Sequence, residues 1–249
     1  MRAFAAFVGA LFPAVLTLAQ PGSTGVVYNG ADFSGWIGAS TEALDDPSGS
    51  ASIDEVSRSV AFRRSEHPIL NLGVSSAAHW VRFNLKNSGA SGPPWLLVQY
   101  PEVEELDLYL LRDGAAVKLA AVGQLRPLDV EVQSTPMYGF MIPLERGATG
   151  TVYLRVRSTK QLQLPITICD EAMFHRYATT RNFWIGGFIG IMLVMVLYNL
   201  FVYFSIRDKS YLLYVVYISL VCLTQISLLG FLGYHLLGWG GVLAANASL

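Results

Sequence analysis

The sequence predicts an all-β jelly roll or β-sandwich followed by transmembrane α-helices, and three observations support this division. Charged residues make up only 14% of the 249 residues, while hydrophobic residues make up 53%; an ordinary soluble domain is about one quarter charged. The charge is uneven, because no Asp, Glu, Lys or Arg follows Lys209. Short alternating runs separated by turn residues fill the middle of the chain, and two long uncharged runs follow them.

Residues 1–19 have the layout of a secretory signal peptide. Arg2 supplies a basic start, an apolar run follows, and small residues around Ala19 precede a Gln-Pro-Gly sequence. Such a run is too short, and too soon followed by turn residues, to cross a membrane. We expect cleavage near residue 19 and export of the next domain. An uncleaved N-terminal anchor would leave that domain on the same side of the membrane.

Residues 26–170 are expected to form the exported β-domain. From Trp80 to Leu85, apolar residues alternate with others, so that Val81 and Phe83 share the face opposite Trp80. The other predicted strands are Trp95–Tyr100, Leu106–Leu111, Val117–Val122, Tyr138–Leu144, Val152–Val156 and Leu164–Cys169, with connectors at residues 145–147 and 158–160. Many short strands without a βαβ rhythm predict a sandwich, a jelly roll or a closed barrel.

Residues 171–181 lose the β alternation and are predicted to be a connector, either a short helix or the approach to the membrane. Residues 182–206 carry no charge and are long enough to cross a hydrocarbon core. After the polar turn at residues 207–210, residues 211–232 are predicted to be a second span antiparallel to the first. Residues 233–249 are an outer loop or the start of a third span. We expect the chain to be a fragment or a truncated product.

A series of short motifs connects the outer domain with the membrane part. They are Asn71-Leu72-Gly73, His79-Trp80-Val81-Arg82-Phe83, Asn87-Ser88-Gly89, Leu106-Asp107-Leu108-Tyr109, Tyr153-Leu154-Arg155-Val156, Leu197-Tyr198-Asn199-Leu200 and Tyr211-Leu212-Leu213-Tyr214. Their order resembles the bacterial seven-transmembrane receptors with diverse intracellular signalling modules (7TMR-DISM). The resemblance implies a jelly-roll outer domain like carbohydrate-binding modules, a seven-helix relay, and a cytoplasmic histidine kinase or diguanylate cyclase. The chain departs from this pattern at its end, where two spans and no output module are present.

The resemblance implies the extracytoplasmic sensory input part of a transmembrane receptor, which binds a small molecule or carbohydrate and relays to an output module missing here. One alternative is a membrane-anchored carbohydrate-binding or adhesion module without signalling, and another is a membrane-bound hydrolase. The implied location is the bacterial inner (cytoplasmic) membrane, multi-pass, with the β-domain in the periplasm. The expected partners are the membrane, the ligand and a second copy through the membrane helices. The net charge of −1 argues against nucleic acid.

The predicted ligand-binding residues are Trp80, Arg82, Asn84 and Arg155. The first three project from one strand face, where an aromatic ring suits a sugar and a guanidinium suits a carboxylate. The alternative is a Trp that packs under a loop and an Arg that satisfies a carbonyl or a Glu. In the membrane part, Asn199 is predicted to mark a helix-packing position, because polar groups there form hydrogen bonds between helices.

No sequence pattern indicates a catalytic centre, a metal site or a cofactor. The four histidines, His67, His79, His175 and His235, lack the spacing of metal ligands. The carboxylates between Glu102 and Asp107 are expected to be a solvated strand edge rather than an acid–base pair. The sequence contains no nucleophile elbow, phosphate loop or Cys-x-x-Cys motif. We therefore expect no catalytic residue, no metal and no cofactor.

Overall fold

The structure is a computed structural model that describes residues 25–30, 35–89, 92–126 and 137–228. The predicted signal peptide and the predicted end segment 233–249 lie outside the described residues. The strands are β1 Gly25–Tyr28, β2 Glu42–Asp46, β3 Arg63–Arg64, β4 Leu70–Asn87, β5 Trp95–Val98, β6 Glu105–Arg112, β7 Ala115–Val122, β8 Tyr138–Met141, β9 Thr149–Leu164 and β10 Ile166–Cys169. The helices are α1 Ile53–Ser57, α2 Glu171–Ile206 and α3 Lys209–Leu228, and a 3₁₀ turn covers Gly38–Ser40.

The described strands form two sheets. The large sheet has the antiparallel order β3-β2-β4-β9-β6-β7, and β1 adds to β4 in parallel. The small sheet has the antiparallel order β10-β5-β8. Two sheets packed face to face make a β-sandwich, which decides between the sandwich and the closed barrel that the sequence left open. The predicted fold class, a β-sandwich followed by membrane helices, is confirmed.

The hydrophobic core lies between the two sheets and follows the predicted alternation. Val81, Phe83 and Leu85 of β4 face it and are at most 2% exposed. Leu96 and Val98 of β5 belong to the same core from the small sheet, and both are fully buried. Buried apolar area stabilises a fold by about 25 cal/mol per Å². This shared layer therefore holds the sheets together.

Two strands are longer than predicted. β4 begins at Leu70 instead of close to Trp80, and β9 runs to Leu164 through the predicted connector at residues 158–160. The two strands pair with each other over most of this length, but the register shifts three times before Ala78. Such irregularities interrupt the regular alternation of side chains. The prediction failed there because alternation was the signal on which it depended.

The predicted connector 171–181 and the predicted first span 182–206 form one continuous helix, α2. Asp170 is its N-cap, and the carboxylate Oδ1 accepts a hydrogen bond from the amide of Met173 at 2.6 Å, as N-cap residues typically do. At 1.5 Å per residue the helix is about 54 Å long. A bilayer core of about 30 Å therefore accounts for only part of α2.

Helices α2 and α3 pack against each other as an antiparallel hairpin. Arg207 follows α2 with a φ of 59°, and its amide donates to the carbonyl oxygen of Tyr203 at 2.7 Å, which is a left-handed helix end. Asp208 Oδ1 accepts from the amide of Ser210 at 2.9 Å at the start of α3. Both helices are long and apolar enough to cross a membrane.

Candidate functional site

The outer face of the large sheet carries the predicted ligand residues in rows that run across the strands. In one row, Trp80 of β4 lies opposite Arg155 of β9, and Arg155 lies opposite Asp107 of β6. The neighbouring row consists of Arg82, Tyr153 and Tyr109. Residues directly opposite each other have Cβ atoms about 4.5–5.5 Å apart. The fold therefore brings Arg155 beside Trp80, although the two are far apart in sequence.

Asp107 is a buried carboxylate shared by three cations, so the expectation of a solvated strand edge is wrong for this residue. Its side chain lies 2.8 Å from Lys118 Nζ and 3.3 Å from Arg155 Nη1, and Arg126 binds both of its oxygens. Burial raises the pKa of Asp107, but hydrogen bonds from Arg126 and Lys118 outweigh burial and hold the pKa below its ordinary value. Glu105 adds a second carboxylate, 3.3 Å from Arg155 Nη1. Three cations thus face two carboxylates.

Residues 47–62, which we name the cover, lie over the aromatic side chains of this face. Val56 of α1 is 2% exposed and packs in one cluster with Trp80 and Tyr153. Phe62 meets Tyr153 edge-on, with 6.3 Å between ring centroids. Trp80 is 1% exposed, and its indole Nε1 has no hydrogen-bond partner among the described residues. A solute therefore reaches Trp80 only when the cover moves.

The two predicted arginines hold the cover through its backbone carbonyl groups. Arg155 Nη2 donates to the carbonyl oxygen of Gly49 at 2.8 Å. Arg82 Nη1 donates to the carbonyl oxygen of Ser59 at 3.5 Å, and Arg82 Nε forms a 2.7 Å ion pair with Glu42. With the cover closed, Arg82 and Arg155 therefore have the contacts expected from the alternative interpretation, in which an Arg satisfies a carbonyl group or a Glu. Their binding of a ligand stays a prediction.

Asp46 fixes the start of the cover. Its Oδ1 accepts hydrogen bonds from Ser48 Oγ at 2.6 Å and from the amide of Gly49 at 3.0 Å, and its Oδ2 accepts from the amide of Ala51 at 3.0 Å. Burial raises the pKa of Asp46, but these hydrogen bonds outweigh burial and hold the pKa below its ordinary value. The ionised carboxylate therefore stabilises the turn that leads into the cover.

Asn84, the fourth predicted ligand residue, is exposed. Its Oδ1 accepts a hydrogen bond from Thr151 Oγ1 at 2.9 Å.

Three further side chains of the face were not predicted as site residues. They are Asp107, Tyr109 and Lys118, from β6 and β7. The alternation in β6 puts Asp107 and Tyr109 on one face, but only the strand order shows that this face adjoins Trp80.

The first turns of α2 pack on the outer face of the small sheet. Phe174, which is 2% exposed, stacks on Trp95 of β5 with 4.9 Å between ring centroids and 19° between ring planes. Tyr177 Oη donates a hydrogen bond to Gln99 Oε1 at 2.6 Å. Ala178 is buried in the same cluster. We name these contacts the helix junction, because they fasten α2 to the sandwich before its uncharged part begins.

Cys169, the last residue of β10, is a packing residue of the helix junction. Burial, with a contribution from the neighbouring Asp170, raises the pKa of its thiol to about 12. The nucleophilic form of cysteine is the thiolate, so this side chain is inert near neutral pH. In the described ranges, no group of three His, Cys, Asp or Glu side chains is placed to hold a metal ion.

Comparison with protein families gives two matches that follow this architecture. Residues 38–170 match the family described as 7TMR-DISM extracellular 2. Residues 181–248 match the family described as 7TM diverse intracellular signalling. The first match alone covers more than half of the chain. The chain belongs to the 7TMR-DISM family. The resemblance found in its motifs is thereby confirmed, and its two regions are a receptor's extracellular domain and membrane region.

The boundary between the two 7TMR-DISM regions coincides with the helix junction. The extracellular match ends at Asp170, the N-cap of α2, and the membrane match begins at Arg181. The residues between them include Phe174, Tyr177 and Ala178, which pack on the small sheet. The first ten residues of α2 therefore lie between the two matched regions, and the rest of the helix lies in the membrane match.

Solved structures and curated proteins add little to the family assignment. The chain is similar to a GH31 alpha-xylosidase from Xanthomonas citri, with 14% identity over 52% of this chain and 13% of that one, and a TM-score of 0.29. It is also similar to the insecticidal crystal protein Cry2Aa, with 11% identity over 39% of this chain and 18% of that one, and a TM-score of 0.25. The chain thus spans less than a fifth of either protein. No curated protein matches it.

In the membrane region of this 7TMR-DISM chain, Asn199 is buried while its neighbours on α2 are exposed. Asn199 is 6% exposed, whereas Tyr198 is 62% and Phe201 is 70% exposed. Its Nδ2 donates to the carbonyl oxygen of Met195 at 2.8 Å, one turn earlier in the same helix. This hydrogen bond satisfies one N–H of the side-chain amide within the helix. The predicted role of Asn199 in packing against other helices stays a prediction.

Proposed function

We propose that this chain is the sensory input part of a 7TMR-DISM receptor, in which a small molecule or a carbohydrate binds the β-domain and changes the position of α2. The observation that carries the proposal is the continuity of α2. Phe174 and Tyr177, which pack on the small sheet, belong to the same helix as residues 182–206. Rigid secondary elements carry coupling between distant sites. A movement of the small sheet is therefore passed to the span without a flexible linker.

The proposed ligand surface is the outer face of the large sheet, with Trp80, Arg82, Asn84 and Arg155 as ligand residues. The support for it is the placement of an indole ring beside a guanidinium in adjacent strands. These groups suit a ligand with a flat apolar face and an anionic or hydroxyl-rich group. Access requires the cover to move away from Trp80.

The ligand surface and α2 lie on opposite sides of the sandwich, so the signal has to cross the core. Leu154 and Val156 alternate with Arg155 on β9 and are fully buried in that core. On the other side, Leu97 of the small sheet is buried against Phe174. Close-packed interiors transmit strain. A ligand shifts the equilibrium between two arrangements of α2 only by the difference between its binding free energies for them.

We further propose that the β-domain is periplasmic and that the spans belong to a multi-pass protein of the bacterial inner membrane. In this orientation Arg207 and Lys209 face the cytoplasm, as the positive-inside rule favours. Because Arg176 and Arg181 lie on the outer flank of the same span, the orientation rests mainly on the predicted signal peptide. The proposed partners are the membrane, the ligand and a second copy of the chain that packs through the membrane helices. The output module of the proposed receptor is a histidine kinase or a diguanylate cyclase.

The relay is tested by a distance measurement on the full chain in lipid nanodiscs. Nitroxide labels at Lys86→Cys in the sandwich and Lys209→Cys after the first span, with Cys222→Ser, are read by pulsed electron paramagnetic resonance. We expect one narrow distance distribution. Phe174→Ala should broaden it, whereas Phe183→Ala, which removes a ring that is 71% exposed, should not. A broad distribution with α2 unaltered would rule out the relay.

The sensing step is tested on the same labelled chain with sugars as probes. Glucose, N-acetylglucosamine and glucuronate are added, and the melting temperature and the distance distribution are both recorded. A probe that raises the melting temperature and shifts the distance supports the receptor. A probe that raises the melting temperature with no shift supports the membrane-anchored carbohydrate-binding module without signalling.

A further inference from the structure

An open cleft of about 500 Å³ lies on the sandwich away from the outer face of the large sheet. Asn87, Gly89, Gly92 and Pro93 form one wall, and the connection between β8 and β9 forms the other. The lining residues are Asn87, Gly89, Gly92, Pro93, Met141 and residues 143–146. Small-molecule sites have volumes of about 300–1,000 Å³ and are mostly apolar with a few polar groups. The volume of the cleft lies within this range, and Met141, Leu144 and two prolines are among its lining residues.

Asn87 joins the two walls of the cleft. Its side chain Nδ2 donates to the carbonyl oxygens of Leu144 at 2.7 Å and Gly92 at 3.3 Å, and its Oδ1 accepts from the amide of Gly89 at 3.0 Å. Its backbone carbonyl oxygen accepts from the amide of Gly147 at 2.6 Å. Asn87 is 1% exposed. These hydrogen bonds connect Gly89 and Gly92 with Leu144 and Gly147 in the absence of a ligand, and such preorganisation lowers the entropic cost of binding.

Two charges of opposite sign stand at the rim of the cleft. Glu145 and Arg146 both line it and are both exposed. Neither side chain has an ion-pair partner among the described residues. By contrast, Arg126 and Arg155 of the large sheet are engaged with Asp107. The carboxylate and the guanidinium at the rim are thus available to charged groups of a ligand.

The cleft adjoins the helix junction. Met141 lies directly opposite Trp95 in the small sheet, and Trp95 stacks on Phe174 of α2. The side chain of Met141 is 51% exposed, so a molecule in the cleft contacts it without displacing any part of the fold. A ligand that contacts Met141 is therefore separated from Phe174 of α2 by Trp95 alone.

We propose that this cleft binds a small zwitterion with an apolar body, for which a free α-amino acid with an apolar side chain is the simplest form. The apolar walls take the side chain, Arg146 pairs with the carboxylate, and Glu145 pairs with the ammonium group. The site does not depend on the proposed function. Only its effect on α2 rests on that function.

The site is tested by isothermal titration calorimetry of the full chain in nanodiscs with L-leucine and L-phenylalanine. We expect a dissociation constant of about 1 mM or lower for at least one of them. Met141→Trp fills the cleft and should abolish the heat. Val117→Trp adds the same bulk at another exposed apolar position, 57% exposed on β7, and should leave binding unchanged. Absence of heat with both amino acids, or equal binding by the two Trp variants, overturns the site.

The charge assignment is tested with two further variants and a modified probe. Arg146→Gln should weaken L-leucine binding about tenfold, since loss of one charged pair commonly has an effect of that order, whereas Arg58→Gln should not. N-acetyl-L-leucine lacks the ammonium group and should bind weakly to the unaltered chain, and Glu145→Gln should remove the preference for L-leucine. If Arg146→Gln and Glu145→Gln bind both probes like the unaltered chain, the zwitterion assignment is wrong.

Failure of the site and failure of the relay give different results. L-leucine that binds while the Lys86→Cys to Lys209→Cys distance stays constant supports the site and contradicts its connection to α2. A narrow distance distribution without any binding of amino acids leaves the relay standing and overturns the site.

Discussion

Gly139 of β8 lies directly beneath the aromatic ring of Phe174 in α2, and a Cβ at position 139 would overlap the ring carbons. The backbone of the small sheet is therefore in contact with the membrane helix at this point. The close approach lets Phe174 also stack on Trp95 in the adjacent strand. The helix junction thus requires glycine at position 139, because any side chain there would meet the ring of Phe174.

We predict that Gly139→Ala loosens the helix junction. The added methyl group has no space unless the ring of Phe174 moves, and forcing extra atoms into a packed site costs about 1–3 kcal/mol. Chemical unfolding of the full chain in detergent, followed by tryptophan fluorescence, measures the loss. Gly25→Ala is the matched control, because a Cβ there meets no atom within 4 Å. Equal stability of the two variants would contradict the close contact.

We predict that Asp107→Asn strongly destabilises the β-domain. The substitution removes the negative charge that Lys118, Arg126 and Arg155 share, and leaves cations without their buried partner. Breaking a buried ion pair in this way costs roughly 3 kcal/mol, measured as the free energy of unfolding in urea. Asp113→Asn is the control, since its side chain is 87% exposed and surface pairs contribute little. A loss no larger than that of the control would show that the cluster is not stabilising.

The lowered pKa values of Asp46 and Asp107 predict that the β-domain loses stability in acid. Because both pKa values are lower in the folded than in the unfolded protein, the unfolded state binds more protons as the pH falls. Their contribution is fully present above the unfolded value of about 3.9 and is lost as the pH falls through the folded values. The free energy of unfolding should fall steadily below about pH 5. The fall should be shallower in Asp107→Asn, and an unchanged slope would contradict the assignment.

Local alternation predicts a single strand well, whereas the relation between strands depends on topology. Val81, Phe83 and Leu85 all face the core as expected, because strand geometry has a period of two. The pairing of Asp107 with Arg155 depends on β9 lying between β4 and β6, which no local pattern encodes. Burial of Phe174 was missed for a related reason. Its neighbours Met173 and His175 belong to no alternating pattern, and only the small sheet supplies the surface on which Phe174 packs.

The cover provides a test of access to Trp80, through a substitution that leaves the large sheet intact. Val56 is the one fully buried side chain that the cover contributes to its cluster with Trp80 and Tyr153. Val56→Ala removes part of that contact, at a cost of about 1–2 kcal/mol. A loss of this size raises the population of the open state by a factor of roughly 5–30. Such local opening is measurable when it exposes a cleavage site.

We therefore predict that trypsin cleaves the Val56→Ala variant after Arg58 several times faster than the unaltered chain. Acrylamide should also quench the fluorescence of Trp80 more efficiently, as measured by difference against Trp80→Phe. Val60→Ala is the matched control, because Val60 lies in the same cover but is 96% exposed. If Val56→Ala and Val60→Ala are both cleaved and quenched like the unaltered chain, the cover does not open as a unit around Val56. The outer face of the large sheet would then be closed to ligands, and the proposed binding by Trp80 and Arg155 would be wrong.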